Sequence, residues 1–229
     1  MTTRASVLEA LSNVHDPELD EPITALRFVS SCEVTPEGDV EVVLRLPTPQ
    51  CAPNFAYLMA ADALGAVRRL PAVREVSVRL EDHYTGDEIN AAVGRGAGFS
   101  GAFPGETEDD ELEALRELFE RKALLARQSR LCEALLDQGA TSEQVVAQRV
   151  ADLPGCADTR RCLELRRRLG LPSADDSPAF VLPDGRPLAA ADFDRWLRMA
   201  RLVRTSLEAN GGICRSLLRF RYGLEEVLT

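Results

Sequence analysis

Near the N-terminus the apolar positions Val7, Leu11 and Val14 recur at i, i+4 and i+7, and Ser6 and Glu9 stand at capping-box spacing. The pattern predicts a helix over residues 5–14, ended by Pro17. The period then changes from helical to alternating. Leu26, Phe28, Ser30, Cys32 and Val34 share one side of a strand, residues 35–39 supply turn chemistry, and Val40, Val42, Leu44 and Leu46 alternate again, which together reads as a β-hairpin. Prolines at 47, 49 and 53 break the second strand. Beyond them Ala56, Ala60, Ala63, Val67 and Leu70 step by four and three, the stripe of a helix lying on a sheet, as far as Pro71. Val76, Val78 and Leu80 then alternate with Glu75, Ser77 and Arg79 in a third strand. The order helix, strand, strand, helix, strand predicts an α+β class: a small two-layer α/β N-terminal domain over residues 1–85.

Residues 86–105 hold glycines at 86, 94, 96, 98, 101 and 105 together with Pro104, and read as a linker or mobile loop. Residues 96–101 match Gly-x-Gly-x-x-Gly by letter, but no strand immediately precedes them, so they do not make a dinucleotide fingerprint. The remainder, 106–229, reads as an all-helical C-terminal domain. Leu112, Leu115, Phe119, Leu125, Cys132, Leu135 and Leu136 predict a long helix closing at Gly139. Residues 141–144 form a capping box for a second helix, and Asp158 caps a third that runs to Gly170. Phe193, Trp196, Leu197, Ala200, Val203 and Leu207 line a further helix, which Asn210, Gly211 and Gly212 end before a last one over 213–220.

Composition narrows the function classes. The 229 residues carry a net charge of −10, which argues against a general nucleic-acid binder. No apolar run approaches the roughly 20 residues of a membrane span, and the first residues lack a secretory core, so a cytoplasmic protein is expected. The charge is uneven. Acids dominate residues 1–159, whereas arginines outnumber acids over 160–221, and the simplest reading is that the basic stretch meets the acidic front of the same chain. The six cysteines are scattered with no Cys-x-x-Cys pair, so structural disulfides are not expected. Cys32, Cys132, Cys156 and Cys162 read as core thiols.

Cys51 carries the chemistry. It lies between Pro49 and Pro53 at a strand-to-helix junction, where a helix N-terminus stabilises a thiolate able to bind metal or attack an electrophile. The plainer alternative is a small apolar side chain under the loop. Asp16-Pro17-Glu18 is the second feature: a turn after the first helix that could offer hard oxygen ligands or serve as an ordinary helix stop. His83, after the third strand, could approach Cys51 as a ligand or base, or stand in solvent.

Asp16-Pro17-Glu18 after a first helix, then a hairpin, then Thr48-Pro49-Gln50-Cys51 before a second helix, then a Val-x-Val strand, resembles the PaaD-like and SufT-like iron–sulfur cluster assembly domain over roughly residues 5–82. The resemblance implies a two-layer α+β fold and a role in maturing metalloproteins. It places the signature cysteine on Cys51, the adjacent threonine and proline on Thr48 and Pro49, and the acidic turn on Asp16, Pro17 and Glu18. The family's proline directly after the cysteine is displaced by Ala52 to position 53, and its paired threonine is Pro47.

The function expected is that of an auxiliary factor rather than an enzyme. Cys51 would transiently hold iron or an iron–sulfur cluster for a client metalloenzyme, with Asp16 or Glu18 shaping the pocket. One thiolate cannot hold a cluster that ordinarily takes four, so a second subunit, another ligand or a client must contribute. The expected partners are a client metalloenzyme, cluster-assembly proteins and a second copy of the chain, with neither nucleic acid nor membrane. The alternative is a client-specific chaperone for a metal-dependent oxygenase or dehydrogenase in which Cys51 never touches metal.

Overall fold

Thr3, not Ser6, opens the first helix, α1 (Arg4–Leu11): its hydroxyl accepts from the Ser6 backbone N–H while the Ser6 hydroxyl returns a bond to the Thr3 N–H. The computed structural model describes residues 2–105 and 109–224. After α1 the chain turns through the acidic segment. Strand β1 (Val29–Val34) begins three residues later than the alternation suggested, because residues 23–28 are folded into turns with Arg27 at positive φ.

Strand β2 (Asp39–Arg45) pairs antiparallel with β1, and β3 (Glu75–Glu81) pairs parallel with β2, from Asp39 opposite Glu75 to Arg45 opposite Glu81. Helix α2 (Pro53–Arg68) makes the crossover that parallel pairing requires. It lays Ala56, Ala60, Ala63 and Val67 on the sheet, with Val7 and Leu11 of α1 beside them and Phe28, Val42 and Leu44 beneath. Gly38 is needed in the hairpin turn: its φ is +93°, and a Cβ there would collide with the Ala72 carbonyl of the turn before β3. The α+β class and the two-layer N-terminal arrangement are as the sequence indicated.

Residues 86–105 differ from a linker. Helix α3 (Gly86–Arg95) packs on β3 and α2 with Ile89, Ala92 and Val93 buried, and Phe99 and Ala102 beyond it are buried too. Gly86 stands at its first position and Gly96 at the left-handed C-terminal cap, so these two bound the helix, while Gly94 lies within it.

The helical part also departs from expectation at its end. Helix α7 (Phe193–Tyr222) runs 30 residues through Gly211 and Gly212 without a break. Gly211 lies against the carboxylate end of the Glu21 side chain. Leu218, one to two turns further, is buried in the core of the N-terminal unit. The chain accordingly clusters into two compact units: residues up to Leu115 together with those from Ala209 onward, and Arg116–Glu208. These bounds differ from a division at 85 and 105.

The second unit is built from α4 (Asp109–Asp137) beyond its first turns, α5 (Ser142–Ala147), α6 (Ala157–Arg168) and the first half of α7. Leu124, Leu165, Phe180 and Ala200 form its core. Two buried polar side chains fasten the extended segment around Phe180: Gln128 both donates to and accepts from the Val181 backbone, at 3.1 and 2.8 Å, and Arg166 donates to the carbonyls of Ala179 and Pro178. The Gln128 amide and the terminal nitrogens of Arg166 are paired with backbone, while Arg166 Nε is buried without a hydrogen-bond partner among the described residues. Among the described residues no helix is long and apolar enough to cross a membrane.

Candidate functional site

Pro47 and Pro49 cannot continue the ladder of β2, so the chain leaves the sheet and turns back through residues 48–51, with the Cys51 N–H bonded to the Thr48 carbonyl at 3.4 Å. Pro53 then starts α2 at a position where a missing N–H costs nothing. Cys51 is left two residues ahead of the helix, half-buried, its thiol free. The Thr48 hydroxyl is 3.5 Å from Cys51 Sγ. Extra order comes from the segment after β3: the Tyr84 N–H donates to the Pro49 carbonyl at 3.1 Å.

His83 is brought to Cys51, but to its backbone. Nε2 lies 2.7 Å from the Cys51 carbonyl oxygen. A carbonyl only accepts, so Nε2 carries the hydrogen, and Nδ1 is the acceptor for the Thr85 hydroxyl and N–H, at 3.2 and 3.3 Å. With both ring nitrogens engaged, His83 clamps the loop. It is not a strand-end histidine in solvent, and its bonded nitrogens are not turned to the thiol. A polar cleft of about 400 Å³ opens beside it, lined by Pro49, Asp82, His83, Tyr84 and Asn90 among others.

The acidic turn has a different character from that of a solvated helix stop. Asp16 is buried, and its Oδ1 accepts from the N–H groups of Glu18 and Leu19 at 2.8 and 2.9 Å. Burial pushes its pKa up to about 6 against those two hydrogen bonds, with the carboxylates of Glu18 and Glu21 adding to the rise. Pro17 and Glu18 are half-buried on the same turn.

Sequence context does not single out a further cysteine of this unit. Cys214, on α7, packs half-buried against the same core as Cys51. Burial raises its pKa to about 11, and the charges of Asp16, Cys51 and Glu18 each raise it further, with Arg215 opposing. The thiols are soft donors and the turn carboxylates hard ones. Among the described residues no three His, Cys, Asp or Glu side chains form a ready-made metal site.

Arginine–carboxylate contacts hold the late helix in place: Arg215 bonds Glu21, and Arg221 bonds Asp82, which also accepts from the Tyr222 hydroxyl at 2.7 Å. Tyr222 in turn lies under the Arg45 guanidinium, 3.9 Å from the ring centre. In this unit the basic stretch does meet the acidic front of its own chain.

Comparison with known proteins agrees with the geometry. The model of a family described as iron–sulfur cluster assembly protein matches residues 4–78. The uncharacterized protein MJ1129 of Methanocaldococcus jannaschii is 36% identical over 90 residues, which span 39% of this chain and 93% of that protein. The family match takes in the acidic turn and the Cys51 loop, and leaves out His83, α3 and everything that follows.

Proposed function

Because the chain belongs, through residues 4–78, to the iron–sulfur cluster assembly protein family, we propose that it is an auxiliary factor that handles iron or a cluster as cargo for a client metalloenzyme, with Cys51 as the transient ligand. The observation that carries this reading is the presentation of Cys51: a thiol on a loop stiffened by prolines and fixed through its own carbonyl by His83. Such a loop offers sulfur without reorganising, as a site for cargo in transit requires. Thr48 is within reach of the sulfur and Pro49 shapes the loop, and in this reading Asp16, Pro17 and Glu18 would border the site. No covalent turnover is assigned to the chain itself. The same reading has the protein work in the bacterial cytoplasm, in contact with its client, with cluster-assembly proteins and with a second copy of the chain.

Cys51→Ser tests it in cells. Client activity, and iron and sulfide in the client, are expected to fall while the level of this protein stays constant. Full maturation of the client by the variant would remove Cys51 from the pathway.

A second reading is favoured by the compact unit Arg116–Glu208, which lies outside the family match and which a simple metal carrier does not need. There the protein is a client-specific chaperone that binds no metal of its own. Anaerobic purification separates the two: iron and sulfide travelling with the chain support the carrier, and a metal-free chain that still brings down one enzyme supports the chaperone.

A further inference from the structure

Strand β3 ends at Glu81, and Asp82 follows it in the left-handed region, at φ +54°, a conformation that residues other than glycine adopt at a cost. Such a residue persists only where its surroundings hold it. The next two residues grip the Cys51 loop: His83 Nε2 donates to the Cys51 carbonyl at 2.7 Å, and the Tyr84 N–H to the Pro49 carbonyl at 3.1 Å. The direction of both grips is therefore set at Asp82. Its side chain is held from the end of α7, where Oδ2 accepts from the Tyr222 hydroxyl at 2.7 Å and pairs with Arg221 Nη2. Tyr222 is fixed in turn. The Arg45 guanidinium lies over its ring at 3.9 Å, and Arg45 reaches Glu81, the last residue of β3, at 3.8 Å. Burial, then the bond to Asp82, pushes the Tyr222 pKa up to about 12, so its hydroxyl keeps its proton and remains the donor at neutral pH. These residues belong to one compact unit, and all but Arg45, Pro49 and Cys51 lie beyond the family match at 4–78.

We propose that Tyr222 is a positioning residue for Cys51, acting through Asp82 and His83. Its hydroxyl holds the Asp82 carboxylate, the carboxylate holds the left-handed turn, and the turn aims His83 and Tyr84 at the Cys51 loop. Arg221 adds a second grip on the same carboxylate oxygen. The proposal rests on the reading of Cys51 as a cargo ligand and extends it to the end of α7. The Cys51 loop is then stiff only while the last turn of α7 is docked, so residues outside the family match complete the presentation of the thiol. A supporting shell of this kind fixes a ligand's geometry without touching the ligand atom. When the shell is cut, the loop samples more conformations and the half-buried sulfur is more often open to solvent.

Iodoacetamide labelling of Cys51 in the folded full chain tests this, with Cys156 of the other unit as the internal reference. Tyr222→Phe removes one hydroxyl and keeps the ring beside Arg45. It is expected to raise the Cys51 rate about threefold or more and to leave Cys156 unchanged. The double variant Tyr222→Phe with His83→Ala should be no faster than the faster single variant, because both substitutions cut one path. Asp82→Ala should act like Tyr222→Phe, whereas Asp82→Asn keeps an acceptor oxygen, tolerates the left-handed region and should recover most of the wild-type rate. Leu218→Ala weakens the same unit by another route and should change the Cys51 rate by less than about twofold under native conditions. An unchanged Cys51 rate in Tyr222→Phe overturns the role of Tyr222. So do effects of Tyr222→Phe and His83→Ala that multiply, or a Leu218→Ala acceleration equal to that of Tyr222→Phe. The reading of Cys51 fails separately, if Cys51→Ser still matures the client fully in cells, and the labelling rates would then still report the path from Tyr222 to the loop.

Discussion

The Nε2 atom of His83 lies 2.7 Å from the backbone carbonyl oxygen of Cys51, so the histidine holds the cysteine's peptide rather than its sulfur. That bond joins the end of β3 to the Cys51 loop across 32 positions of sequence. It fixes where the sulfur stands without competing for it.

His83→Ala should therefore loosen the loop and leave the Cys51 carbonyl without its donor. A lost hydrogen bond of this kind costs about 1 kcal/mol, to be read as a lower denaturation midpoint. Alkylation of Cys51 in the native protein should become faster, while that of Cys156 in the other unit is unchanged. His83→Gln keeps an N–H donor and should recover part of both effects. An unaltered Cys51 rate in His83→Ala would mean that the prolines alone set the loop.

Asp16 predicts a pH dependence of stability. Its pKa is raised to about 6 in the folded chain from an ordinary value of 3.8, so the folded state holds its proton more tightly than the unfolded one. The associated stabilisation is complete below the ordinary value and is lost as pH rises through about 6. Asp16→Asn keeps an oxygen to accept from Glu18 and Leu19 but cannot ionise. Relative to wild type it should gain stability between pH 4 and pH 8, by on the order of 2–3 kcal/mol. Unfolding free energies at those two pH values check this, and a difference between the proteins that stays constant with pH would refute it.

The N-terminal layers were legible because each strand and helix there follows one period with proline or glycine at its ends, as in Val76, Val78 and Leu80, or the stripe from Ala56 to Val67. The Thr48–Cys51 loop and the acidic turn were legible from their residue types. What was hidden depended on tertiary contact. The spacing of Ile89, Ala92 and Val93 is helical, but the glycines around it suggested a loop. Gly211 and Gly212 suggested a stop, yet α7 continues through both.

Leu218 measures how far the family domain depends on the end of the chain. It is 1% exposed among Val7, Phe28 and other residues of the N-terminal core. Leu218→Ala should destabilise this unit by about 2–4 kcal/mol through lost burial and the cavity left behind. Leu217→Ala, at a neighbouring position 41% exposed, should change stability by no more than about 0.5 kcal/mol. Chemical unfolding followed by a probe in the N-terminal unit distinguishes them. Equal effects would show that the end of α7 adds little to that core.

Cys156 should be a reactive thiol, in contrast to the core residue its sequence context suggested. It is half-buried at the N-terminal cap of α6, and its sulfur is 3.5 Å from the Thr159 hydroxyl. Burial raises its pKa, but hydrogen bonds from the Thr159 hydroxyl and from the N–H groups of Thr159 and Asp158 outweigh burial, and the value lies below that of an ordinary thiol. Cys214 is pushed up to about 11 and the fully buried Cys132 to about 12, in both cases chiefly by burial. Iodoacetamide at pH 7.5, followed by peptide mapping over time, should therefore label Cys156 before Cys214, and Cys132 only on unfolding. Thr159→Val removes the side-chain donor and should slow Cys156 severalfold without altering the other two. If Cys156 instead reacts no faster than Cys214, the hydrogen bonds at the start of α6 do not stabilise its thiolate.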